Sequence, residues 1–245
     1  MHAIKYIFMF IVMTSNTFAV SKVDLYNFFF SVKSSTRCDN NKKCSMLKKN
    51  LNSDSNRCVS NPKKVKSIIN YNRGSVSGRL TYLGFVPVKY GYDILSDGRG
   101  GAILESRVYI RNTGSYTKRE LDRLSAGLRR AAHVWTVNNS LTDFHLTFRF
   151  KLTNNERKAH VKPRLLRKKT RGPYFAKWST QWDDDTLAHE MGHVMGLNDE
   201  YHNTLFPKAG SHDDCSISSL MCAANWGRPQ PFHYYLILNR LVCRQ

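Results

Sequence analysis

Two histidines four residues apart carry the first chemical signal in this chain. His189 and His193 sit at i and i+4 in the stretch T-L-A-H-E-M-G-H-V-M-G-L-N-D-E-Y, so on a helix both imidazoles face the same side. Zinc takes imidazole nitrogens at about 2.0–2.1 Å, and two rings on one helical face can converge on it. Glu190 stands beside the first ring, where a carboxylate can take a proton from a water that the metal acidifies. Gly196 follows His193 by three residues, and Asp199 follows Gly196 by three. A glycine there can take a positive φ, end the helix and swing Asp199 back as a third ligand. Glu200, His202, His212 and Asp213 are further carboxylates and imidazoles within reach of that role. Three protein ligands with one position left for water is the pattern of a catalytic zinc, not of a closed structural one.

The elements that must hold these groups can be read outward from them. Asp183, Asp184 and Asp185 precede the metal helix, suited to capping it and complementing its dipole. Thr117 and Glu120 form a capping box, and Leu121, Leu124, Leu128, Ala131, Ala132 and Trp135 follow at helical spacing, which predicts a long amphipathic helix to about Asn138. Phe144, Leu146, Phe148 and Phe150 alternate with polar residues and predict a half-buried strand. Further strands are expected around 80–88, with Pro87 at an edge or end, over 102–110, and over 173–179; a last helix is expected over about 231–241. Strands interleaved with helices in this order give an α+β chain with a small sheet.

The segment H-E-M-G-H-V-M-G-L-N-D resembles the metzincin signature H-E-x-x-H-x-x-G-x-x-H/D, in the variant with aspartate in the third place that snapalysin-like enzymes carry. The resemblance implies a zincin catalytic domain with a small, mostly parallel twisted sheet, an active-site helix and a methionine turn beneath the metal, for which Met221 in Ser219-Leu220-Met221-Cys222 is the candidate. It implies Zn2+ held by His189, His193 and Asp199, Glu190 as general base, Gly196 as the helix-ending turn, and a local disulfide between Cys215 and Cys222. Aspartate adds negative charge and makes the zinc a weaker Lewis acid. No tyrosine follows Met221 closely, so the switching tyrosine ligand of some metzincins is absent; Tyr201 is a candidate oxyanion partner or a packing residue. The implied activity is a secreted zinc metalloendopeptidase. A hydrolase of cell-wall peptides and a non-catalytic basic module that binds polyanions are the other classes to weigh.

The chain of 245 residues opens on a short basic start, an apolar run over 6–13 and the small-x-small triplet Thr17-Phe18-Ala19. That is the pattern of a signal peptide over 1–19 cut near Ala19, hence an exported chain, and no later stretch is apolar enough to span a bilayer. Residues 20–78 are polar and carry Cys38, Cys44 and Cys58, reading as a disulfide-pinned extension; residues 79–245 form the catalytic domain. With three more cysteines at 215, 222 and 243, full pairing requires at least one bridge between the two halves. The formal charge is +20, and losing residues 1–19 removes only Lys5, leaving 37 cations against 18 carboxylates, +19. The stretch 149–171, from Arg149 to Arg171, holds ten of those cations and one acid, Glu156. Such a balance favours acidic partners: acidic protein or peptide substrates, or docking on an anionic surface.

Overall fold

The computed structural model describes residues 73–82, 86–97, 101–137, 145–169, 175–199, 218–230, 233–234 and 236–237. The signal-peptide segment, the extension up to residue 72, Cys38, Cys44, Cys58, Cys215, Cys243 and the candidates Glu200, Tyr201, His202, His212 and Asp213 lie outside them.

The described chain is mixed α+β. Strands β1 (Arg73–Tyr82), β2 (Val86–Ser96), β3 (Ala102–Val108) and β4 (Leu146–Leu152) form one sheet in that order. Helix α1 (Lys118–Val137) connects β3 to β4, and β5 (Arg164–Leu166) with β6 (Lys177–Ser179) makes a second, parallel pair ahead of helix α2 (Asp184–Val194). The sheet departs from the mostly parallel one that the family resemblance implies. β1 with β2 and β2 with β3 are antiparallel, and only β3 with β4 is parallel. The connections explain this: residues 83–85 and 97–101 are too few for a crossover, whereas α1 supplies one between β3 and β4. β1 starts at Arg73, so the change of texture at residues 78 and 79 falls inside a strand. Pro87 sits near the start of β2, where β1 is its partner and the β3 pairing, confined to residues 93–96, has not begun.

α1 forms where its capping box places it. The Thr117 hydroxyl accepts from the Glu120 amide at 3.2 Å, and the Glu120 carboxylate accepts from the Thr117 amide at 2.8 Å. Its buried face is Leu124, Leu128, Ala131, Ala132 and Trp135. Phe148 and Phe150 of β4 turn toward that face, with the Trp135 and Phe148 rings 5.5 Å apart. α2 packs on α1 and touches β2, so both helices cover one face of the sheet. Gly127 lies where the helices cross: a Cβ there would stand 2.8 Å from Leu187 Cδ1, so the leucine side chain would have to shift. His233, Tyr234, Leu236 and Ile237 are helical, and the Tyr234 hydroxyl donates to the Trp135 carbonyl at 2.7 Å. Among the described residues no helix is long and apolar enough to cross a membrane.

The other face of the sheet is polar. Asp93 on β2 and Glu105 on β3 are cross-strand partners, almost fully buried, and both bind the Arg107 guanidinium, at 2.5 and 2.9 Å. Arg107 Nε also donates to the Lys158 carbonyl at 2.6 Å, which lays the segment 156–160 over this face.

Candidate metal centre

α2 is started by Asp183, whose carboxylate accepts from the Thr186 amide at 2.7 Å. Asp184 pairs with Arg130 at 2.6 Å and Asp185 with Arg228 at 3.1 Å, so the three consecutive acids cap and brace the helix. Its end is set by Gly196, with φ at 94°. The Gly196 amide donates to the His193 carbonyl at 2.9 Å and the Leu197 amide to the Gly192 carbonyl at 3.0 Å, the two bonds of a Schellman cap. This turn returns the chain toward the helix face and delivers Asp199 to the two imidazoles.

His189, His193 and Asp199 form a group that could hold a metal ion, their candidate donor atoms all lying within 4.8 Å of one another. Asp199 Oδ1 stands 3.2 Å from Nε2 of each histidine. Both rings are buried and edge to face, with centroids 4.8 Å apart. Their other nitrogens are committed: His189 Nδ1 donates to the Leu220 carbonyl and His193 Nδ1 to the Leu197 carbonyl, each at 2.8 Å. A carbonyl only accepts, so Nδ1 carries the proton and Nε2 presents its lone pair to the centre. Asp199 Oδ1 is buried without an aligned hydrogen bond. Three lone-pair donors facing one another make a group that could hold a cation between them.

The electrostatics point the same way. Burial disfavours a charged His193, yet the Asp199 carboxylate beside it prevails and raises its pKa to about 9. Burial likewise opposes the Asp199 anion, and the two imidazoles hold its carboxyl far below the usual range. A proton therefore occupies the centre when nothing larger does. Glu190, next to His189 on α2, is pushed above the ordinary carboxyl range by burial, against the pull of both imidazoles. The donor set, the fixed tautomers and the orphaned oxygen all fit a divalent ion.

Beneath the histidines lies the loop that carries Met221. A Cβ on Gly192 would stand 2.5 Å from Met221 Sδ and 3.2 Å from Trp135 Cζ2, so the helix underside rests directly on both side chains. The loop closes on itself, with the Leu220 amide donating to the Arg228 carbonyl at 2.9 Å and the Cys222 and Ala223 amides to the Ser219 carbonyl. Cys222 is disulfide-bonded, and its partner lies outside the described residues. The structure thus brings His189, His193, Asp199, Glu190, Gly196 and Met221 into one assembly.

Some contributors are not visible in the sequence pattern. The carbonyls of Leu197 and Leu220 orient the rings, and backbone groups leave no residue signature. Trp135 donates its indole N–H to the Ala188 carbonyl at 2.9 Å, directly before His189. At helical spacing it reads as core; the hint was that a buried indole N–H must find an acceptor. No family model, curated protein or solved structure matches this chain.

Proposed function

We propose that this chain is an exported zinc-dependent endopeptidase, with a metzincin-like catalytic domain of the variant that uses aspartate as third ligand. The observation that carries the proposal is the convergence of two tautomer-fixed Nε2 atoms and an orphaned carboxylate oxygen, with Glu190 alongside and Met221 below. The two Nε2-to-Oδ1 separations of 3.2 Å bring the three donors close enough to share one ion. Zinc held by His189, His193 and Asp199 would supply Lewis acidity, polarising a peptide carbonyl and making a water easier to deprotonate.

The remaining chemistry belongs to the chain. Glu190 accepts a proton from the attacking water and passes it to the leaving amine. Burial raises its pKa, the direction that suits a base that must also give the proton up as an acid. The Leu220 and Leu197 carbonyls hold the imidazoles in orientation. Trp135 and Met221 fix the height of α2, and Asp183 with the Gly196 turn fixes its two ends. The signal-peptide pattern, the six cysteines and the disulfide-bonded Cys222 accord with an exported enzyme.

The test is digestion of a mixed peptide library by zinc-loaded full chain beside Glu190→Ala. Cuts present in the first and lost in the second are expected. A folded, zinc-bearing protein that cuts no peptide would refute the endopeptidase assignment.

A further inference from the structure

The face of the sheet turned away from both helices gathers cations that the sequence scatters. Side chains on one face recur at every second residue along a strand. On β1 and β2, Arg79 and Lys89 are direct cross-strand partners, and both are exposed. On β4, Arg149 pairs in register with Glu105 and Lys151 with Arg107, which places both on the face opposite Phe148 and Phe150. The bond from Arg107 to the Lys158 carbonyl brings exposed Arg157 and Lys158 onto the same side.

The strand residues of this face carry just two carboxylates, Asp93 and Glu105. Both are buried, at 1% and 4% exposure; Arg107 pairs with both, and Glu105 also pairs with Lys151 at 2.9 Å and with Arg149 at 3.4 Å. Even with those pairs made, the seven cations Arg79, Lys89, Arg107, Arg149, Lys151, Arg157 and Lys158 outnumber the two strand carboxylates, so the face is net positive. Four strands spaced about 4.8 Å apart spread these groups over roughly 15 Å, the scale of several repeating anionic groups rather than one.

We propose that this face binds a sulfated polysaccharide, docking the protein through the side of the sheet opposite the metal centre. The composition of the face selects that occupant. The exposed positions near its cations include Ser75 and Ser77, and no exposed aromatic side chain lies among its strand residues on which nucleic-acid bases could stack. It likewise presents no exposed large apolar side chain to insert into a bilayer. A ligand recognised by charge alone fits what remains. Because α1, α2 and the metal centre occupy the other face, docking leaves that centre accessible.

The probe is heparin, titrated calorimetrically into the full chain at several salt concentrations. One variant carries Arg79→Gln, Lys89→Gln, Arg157→Gln and Lys158→Gln. A control removes the same charge from the exposed side of α1: Lys118→Gln, Arg119→Gln, Arg123→Gln and Arg129→Gln. Circular dichroism confirms that both variants fold. The sheet-face variant is expected to bind at least tenfold more weakly, with a shallower salt dependence, by up to about one unit of log–log slope per cation removed. The control is expected to change less than threefold. Equal losses in both variants, or no heparin binding by the parent, would overturn the proposal. So would tighter binding to a thymidine oligonucleotide or to vesicles containing phosphatidylserine, each of which would identify another occupant. Heparin binding is read without peptidase turnover, so it stands or falls separately from the catalytic assignment.

Discussion

Replacing Gly196 by alanine tests how Asp199 reaches the two imidazoles and, with them, the proposed metal. The residue sits at φ 94°, where an L side chain is strained by about 1–2 kcal/mol. Alanine recovers about 0.4–1 kcal/mol by restricting the unfolded chain, so a turn that keeps its shape loses roughly 1 kcal/mol net. In a domain of this size that lowers Tm by about 2–4 °C. Metal affinity should suffer more than stability. Both bonds of the Schellman cap pass through this turn, the Leu197 carbonyl that orients His193 lies one residue beyond it, and Asp199 lies three beyond. Disturbing an orienting partner alone costs about 10–100-fold in metal affinity, and here the carboxylate moves with it. The assay pairs thermal unfolding with a competitive zinc titration for Gly196→Ala and for Gly114→Ala, whose added methyl meets nothing within 4 Å. The Gly196 variant should bind zinc at least tenfold more weakly while losing about 1 kcal/mol, and the Gly114 variant should bind as the parent does. Undiminished zinc affinity in Gly196→Ala would refute the claim that this turn positions Asp199.

Removing the cap in Asp183→Ala should destabilise by about 1 kcal/mol, read from thermal unfolding, with zinc affinity held within about threefold. Arg107→Ala leaves Asp93 and Glu105 buried without their shared partner and should cost about 3–5 kcal/mol in urea unfolding. For Glu105, burial opposes ionisation, but Lys151 and Arg107 hold the folded pKa below 4.5. Its contribution is therefore present above about pH 4.5 and lost as pH falls through the folded value, an acid sensitivity that Arg107→Ala should reduce. In the metal-free protein His193 keeps its proton up to about pH 9, so zinc must displace it. Apparent zinc affinity should rise about tenfold per pH unit between about pH 6.5 and 8.5, with a proton released to buffer and seen as a buffer-dependent heat.

The candidate metal site was legible because its parts are local. Helical spacing puts His189 and His193 on one face, and one glycine-dependent turn brings in Asp199, so no long-range contact has to be guessed. α1 was legible for a similar reason, its capping box and apolar stripe being written within 20 residues. Sheet polarity was not, because it depends on which strands meet. The expectation of a mostly parallel sheet gave way to two short connections that permit only antiparallel pairing. The start of β1 was hidden by R-G-S-V-S-G-R, where glycine and serine leave Val76 as the lone large apolar residue before Leu80. Nor does a strand containing Asp93 announce that it is buried; that follows only once Arg107 is folded over it. The same holds for the cationic face, whose members are as far apart in sequence as Arg79 and Lys158 and are assembled by register alone.

The most direct test of the central claim is the zinc content and affinity of the purified full chain beside Asp199→Ala, measured by elemental analysis and competitive titration. One zinc per chain, with affinity reduced at least about a hundredfold in the variant, is the result this account predicts. A parent chain that binds no zinc, or a variant that binds it as tightly, would contradict a metal centre built from His189, His193 and Asp199.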